Sequence, residues 1–219
     1  MYLRCMKTRV KICCISSIDE ARMAIKYGAD ALGLVGKMPS GPGPIADELI
    51  ADIAKTIPPP IASFLLTSEQ SAHGIIEHVQ RVNTNTVQIV DELTAGTYND
   101  IRSALPYLRI VQVIHVCDET SIEQAVAVAP FVDAILLDSG NPKAEVKTLG
   151  GTGNIHNWQL SAEIVQRVNV PVFLAGGLNS GNVRQAIETV QPFGVDICSG
   201  VRTNGELDPV KLESFMKYI

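Results

Sequence analysis

The sequence predicts an α/β fold, a single (β/α)8 barrel, and three observations predict it. Short apolar runs rich in β-branched residues alternate with longer segments of helical period along the chain. Eight of each can be counted within 219 residues, with no composition break or linker to divide them. Runs such as ALGLV, AILLD and PVFLAGG are apolar almost throughout, as parallel strands covered on both faces should be. The expected organisation is one TIM-barrel domain over residues 1–219. A flavodoxin-like or Rossmann sheet is the structural alternative. It needs a strand order that patterning does not reveal, and no G-x-G-x-x-G follows the first strand.

Each element has a local reason. The first strand, Arg9 to Cys13, leads to a helix over 17–28. There Ser17 with Glu20 is a capping-box pattern, Ala21, Ala24 and Ile25 recur on one face, and Gly28 is placed to stop the helix. Strand Ala31 to Val35 is followed by a helix over 46–56, which must end before Pro58-Pro59-Pro60, since three prolines cannot continue it. Strand Ile61 to Leu66 pairs with helix 68–82, Thr86 to Val90 with 97–104, and Leu108 to Val116 with 119–129. Val132 to Leu137 pairs with 158–168, Val170 to Leu174 with 179–190, and Gly194 to Cys198 with 207–218.

Composition narrows the function classes. With 46% hydrophobic and 19% charged residues the chain is globular, and a net charge of −5 offers no electrostatic reason to expect nucleic acid or an anionic membrane as partner. The segment MYLRCMKTRVK lacks the apolar core of a signal peptide, and no apolar run reaches the ~18 residues of a membrane span. A cytoplasmic protein, monomer or homodimer, is the expectation. Five cysteines, at positions 5, 13, 14, 117 and 198, form no disulfide framework and are read as reduced thiols. Adjacent Cys13 and Cys14 cannot easily chelate one ion, and His115 with Cys117 gives only two ligands, so no metal site is expected.

In a barrel of this kind the chemistry sits at the C-terminal ends of the strands. Cys13 ends the first strand and Asp138 the sixth. By strand alternation Lys11 and Cys13 share one face and Val10 and Ile12 the other, so Cys13 should point into the barrel mouth while Cys14 turns away into the first loop. Core filler and a turn-capping aspartate are the bland alternatives for the two. The glycine turns AGGL (Ala175 to Leu178) and CSGVR (Cys198 to Arg202) follow the seventh and eighth strands, where barrels commonly hold a phosphate. Backbone N–H groups around Gly176, Gly177, Ser199 and Gly200 are therefore the expected phosphate donors. The stretch from Ser139 to Trp158, with Gly150-Gly151-Thr152-Gly153, far exceeds an ordinary β-α loop of ~2–6 residues and reads as a cover over the mouth.

Taken together, VKICCISSIDEARMAIKYGADALGLV, ILLDS, GGTGNIHNW, FLAGGLNSGNV and PFGVDICSGV resemble, in order, the motifs of the phosphoribosylanthranilate isomerase family of tryptophan biosynthesis. The resemblance spans nearly the whole chain. It implies a cofactor-free Amadori rearrangement in which a phosphorylated aminoaldose becomes a 1-amino-1-deoxyketose, with Asp138 as general acid and Cys13 as general base. One group opens the furanose by protonating its ring oxygen; the other removes the sugar C2 proton. A free thiol has a pKa of about 8.5, so a thiolate has to be favoured by the cationic intermediate or by Lys11.

The sequence departs from the family pattern beside the catalytic cysteine and at the aromatic-acid end of the substrate. Cys14 stands where the family usually has glycine, Pro42 where it has a carboxylate-binding arginine, Val90 where it has histidine, Asn154 where it has lysine, and Arg202 where it has glutamate. Arg202 is the first candidate to replace the carboxylate-binding cation and Lys37 the second, with a lone arginine on a surface turn as the bland alternative for Arg202. A related enzyme acting on another phosphorylated aminosugar, and a phosphate-ligand-binding barrel without catalysis, stay open beside the isomerase of the tryptophan pathway.

Overall fold

Eight parallel strands close into a barrel in sequence order in the computed structural model of the chain, which describes residues 7–140 and 156–219. The strands are β1 (Arg9–Ile12), β2 (Ala31–Val35), β3 (Ala62–Thr67), β4 (Thr86–Ile89), β5 (Arg109–His115), β6 (Ala134–Asp138), β7 (Val172–Leu174) and β8 (Gly194–Ile197). Closure comes from β1 pairing with both β2 and β8, in the registers Lys11 to Ala31 and Lys11 to Asp196. Between the strands run α1 (Ile18–Lys26), α2 (Asp47–Thr56), α3 (Ala72–Val82), α4 (Tyr98–Ala104), α5 (Thr120–Val128), α6 (Trp158–Arg167) and α7 (Val183–Val190), with α8 (Pro209–Met216) after β8. This is the (β/α)8 architecture that the patterning predicts, with boundaries shifted by a few residues at most ends.

Alternation along each strand divides the apolar residues into two clusters. Val10, Ile12, Leu32, Leu34, Val195 and Ile197 face outward and pack beneath the helices. Cys13, Phe64, Leu136 and Phe173 face inward and fill the barrel. Gly194 makes room there, because a Cβ at that position would meet the Phe173 ring at 2.7 Å. Gly28 does end α1, with φ of +97°.

Two local features were not visible in the pattern. The capping box at α1 is only half made: Ser17 Oγ accepts from the Glu20 amide at 3.1 Å, but the Glu20 carboxylate accepts from Ser16 N and Leu207 N instead of the Ser17 amide. A two-stranded antiparallel ribbon, β9 (Arg202–Thr203) with β10 (Glu206–Leu207), separates the turn after β8 from α8 and delivers Leu207 to Glu20. The expected cover over the mouth falls largely on residues 141–155, Asn154 among them, which lie outside the described residues. Among the described residues no helix is long and apolar enough to cross a membrane.

Candidate active site

The C-terminal ends of the strands surround a solvent-open depression. Cys13, Asp138, Gly176, Gly177 and Ser199 all line it, so residues from β1, β6 and the turns after β7 and β8 meet at one opening. Gly200 backs this surface: a Cβ there would collide with the Leu178 carbonyl oxygen, so only glycine lets the last two turns pack so closely. Gly176 and Gly177 both have positive φ, +84° and +64°, and Asn182 Nδ2 donates to the Gly177 carbonyl at 3.0 Å to hold that turn. Asp138 Oδ1 accepts from the Ser139 amide at 2.7 Å, which orients its carboxyl at the strand end.

Beneath the pocket Lys11 is fully buried, and its ammonium donates to Asp196 Oδ1 at 2.9 Å. Burial by itself would lower the Lys11 pKa, but Asp196, and after it Cys13, hold it above its ordinary value. The ammonium also lies 5.4 Å from the centre of the Phe64 ring, a favourable cation–π contact. Gly33 of β2 creates the space: a Cβ there would meet Cys13 Sγ at 2.7 Å and Lys11 Nζ at 3.0 Å. The expected division of faces on β1 is therefore the observed one, with Lys11 and Cys13 inside and Val10 and Ile12 outside.

Cys14 departs from expectation. It does not turn away from the mouth but lines the pocket beside Cys13, because its backbone is left-handed, with φ of +62°, and strand alternation stops there. Glycine takes this conformation without strain, whereas a residue with a Cβ is strained by about 1–2 kcal/mol. The Cys14 sulfur reaches the Cys198 sulfur at 2.7 Å and donates to the Pro42 carbonyl at 3.7 Å.

Arg202 is placed elsewhere than expected. Its guanidinium forks onto both oxygens of Glu20, at 2.8 and 3.0 Å, and also donates to the carbonyls of Cys13, Cys14 and Gly205. It does not line the pocket; it clamps the β1–α1 turn from behind. The sequence shows a cation after a glycine turn but not the acidic partner in α1 that takes it up. Lys37 is exposed, its carbonyl accepting from Ser68 Oγ at 3.1 Å, and it immediately precedes Met38, which lines the pocket.

Three further pocket residues were not assigned to the site by sequence. Asp196 is an acidic residue within the apolar strand GVDI, and that mid-strand charge was the available signal. Cys198 shares its face. Gln88 of β4 is 3% exposed and lines the pocket, with its Oε1 lacking a hydrogen-bond partner among the described residues. Among the described residues no group of three or more His, Cys, Asp or Glu is placed to hold a metal ion.

A closed eight-stranded barrel with a thiol, a carboxyl and two glycine turns gathered at the C-terminal mouth defines the class, a TIM-barrel enzyme. Residues 10–218 match the family described as N-(5'phosphoribosyl)anthranilate (PRA) isomerase. An N-(5'-phosphoribosyl)anthranilate isomerase of Methanosarcina acetivorans is 33% identical over 98% of this chain and 94% of its own. The crystal structure of phosphoribosyl anthranilate isomerase from Thermotoga maritima superposes with a TM-score of 0.79 at 29% identity, covering 97% of this chain and 98% of that one. A phosphoribosyl anthranilate isomerase in complex with reduced 1-(o-carboxyphenylamino)-1-deoxyribulose 5-phosphate superposes at 0.77, with 28% identity over 97% and 98%. The chain belongs to the phosphoribosylanthranilate isomerase family.

Proposed function

We propose that this protein catalyses the Amadori rearrangement of N-(5'-phosphoribosyl)anthranilate to the corresponding 1-amino-1-deoxyribulose phosphate, the step of tryptophan biosynthesis for which its relatives are named. The observation that carries the reading is the shared pocket of Cys13 and Asp138, a thiol and a carboxyl on non-adjacent strands, opening onto the glycine turns. Asp138 protonates the furanose oxygen, and the ring opens to an iminium. Cys13 then removes the C2 proton to give the enolamine, which tautomerises to the ketose. Lys11, held charged against the Cys13 side, compensates negative charge on that sulfur.

The substrate phosphate rests on backbone N–H groups of Gly176, Gly177, Ser199 and Gly200. Among the described pocket-lining residues the charged ones are Asp138 and Asp196, so a dianion is better received by peptide N–H groups than by side chains at this mouth. Gln88 Oε1 accepts from a substrate hydroxyl or amine. Lys37 supplies the cation for the anthranilate carboxylate; Arg202 could do so only by releasing Glu20. The barrel of residues 1–219 acts as one domain.

The test is complementation of a tryptophan auxotroph lacking this step, with turnover of the anthranilate substrate by the purified protein. Growth with turnover supports the reading. Failure of both, with inorganic phosphate still bound at the glycine turns, favours a different phosphorylated aminosugar as substrate.

A further inference from the structure

Where β1 and β8 join, the barrel carries a sulfur pair that the isomerisation does not use. The amide of Cys13 donates to the Ile197 carbonyl at 2.8 Å, so the register that pairs β1 with β8 continues one residue past the strands and brings Cys198 beside Cys13. The left-handed turn at Cys14 then swings its side chain back toward β8, leaving the Cys14 and Cys198 sulfurs 2.7 Å apart, both as free thiols. Neighbouring strands run ~4.8 Å apart, inside the Cα separation of ~4.4–6.8 Å that a disulfide spans. Nor can Cys14 easily retreat. The loop after β2 presses on it so closely that a Cβ on Gly43 would meet the Cys14 Cβ at 2.7 Å. Pairing Cys14 with its neighbour Cys13 would instead close a small ring through a peptide bond that resists twisting.

We propose that Cys14 and Cys198 form a reversible oxidation site in the floor of the substrate pocket, closed by small-molecule disulfides to an intramolecular disulfide that stops turnover. Cys198 reacts first, because it is the half-exposed member of the pair while Cys14 is buried. Its contact with the Cys14 sulfur holds the Cys198 thiol below its ordinary value against the opposing effect of burial, and Arg202 adds to it. The Cys198 thiolate attacks one sulfur of the oxidant and expels a thiolate, giving a mixed disulfide. The Cys14 sulfur then attacks Cys198 and expels the second thiolate, its proton leaving with that group. Two electrons pass to the oxidant, which becomes two thiols. The new bond ties the residue after the base Cys13 to the residue before the Ser199–Val201 turn, displacing both sides of the pocket at once.

The test incubates the full-length protein with oxidised glutathione. The expected result is the loss of two thiols per chain in a denaturing thiol assay, no retained glutathione, and a proteolytic map that joins the Cys14 and Cys198 peptides. Turnover should fall at least about tenfold and return with dithiothreitol, since misplacing reacting groups by even a fraction of an ångström is costly. Cys14→Gly and Cys198→Ser, each compared with its own reduced form, should lose their sensitivity to the oxidant. A retained glutathione adduct, a linkage through Cys13 or Cys117, or an oxidised protein that turns over as fast as the reduced one would overturn the proposal. The effect on turnover rests on the isomerase reading, but the thiol count and linkage map do not, so the two can fail separately.

Discussion

Arg202 grips Glu20 through both terminal nitrogens, at 2.8 and 3.0 Å, and the two side chains keep only 8% and 11% of their surface exposed. Arg202→Ala leaves the buried Glu20 carboxylate without its counter-charge, so it should destabilise the fold by about 3–5 kcal/mol in urea denaturation. A rise in KM at unchanged stability would instead mean that Arg202 serves the substrate.

The same pair sets a pH dependence. Burial pushes the Glu20 pKa up, but Arg202 and the amides of Leu207 and Ser16 outweigh it and hold the value below the ordinary carboxylate range. A depressed carboxylate stabilises the fold fully above its unfolded pKa of about 4.3, and that contribution is lost as pH falls through the lower folded value. The stability gap between the parent and Glu20→Gln should therefore be constant above about pH 5 and shrink toward pH 3.

Cys13→Ala and Asp138→Asn should each lower kcat by about 10²–10⁴-fold while near-UV circular dichroism stays unchanged. Full turnover by either variant would remove that residue from the acid–base pair.

At position 14 the backbone can be separated from the thiol. Cys14→Ala keeps a Cβ at φ of +62° and Cys14→Gly does not, so the glycine variant should be the more stable of the two by about 1 kcal/mol. Equal midpoints in guanidinium would show that the left-handed conformation stores no strain.

Gly33→Ala places a methyl group 2.7 Å from Cys13 Sγ and 3.0 Å from Lys11 Nζ, so one of them has to move. The expected result is a drop in kcat of about 10²-fold, as misplacing a reacting group costs, with the barrel still folded. Wild-type kcat would show that the sulfur's position is not critical.

Gln88→Met replaces a buried amide whose Oε1 has no partner among the described residues with an apolar chain of similar length. Stability should hold or rise, because an unsatisfied polar atom is removed, while KM rises several-fold through loss of one hydrogen bond of about 1 kcal/mol. An unchanged KM would place the substrate elsewhere in the pocket.

The barrel was legible in the sequence because its information is local. Helical and strand periods, Gly28 at the end of α1, and the parity of Lys11 and Cys13 each depend on a few neighbouring residues, and a closed sheet uses all of them without conflict. The positions of Cys13, Asp138 and the glycine turns at one mouth follow from strand ends alone. Tertiary structure decided the rest, through contacts that no local pattern encodes. Arg202 meets Glu20 across 182 residues of chain, so its charge belongs to the β1–α1 turn and not to the pocket. Cys14 enters the pocket because one left-handed residue ends strand alternation, and it meets Cys198 only because β8 closes on β1. Periodicity dictates which face of a strand a side chain takes; only packing in three dimensions chooses its partner.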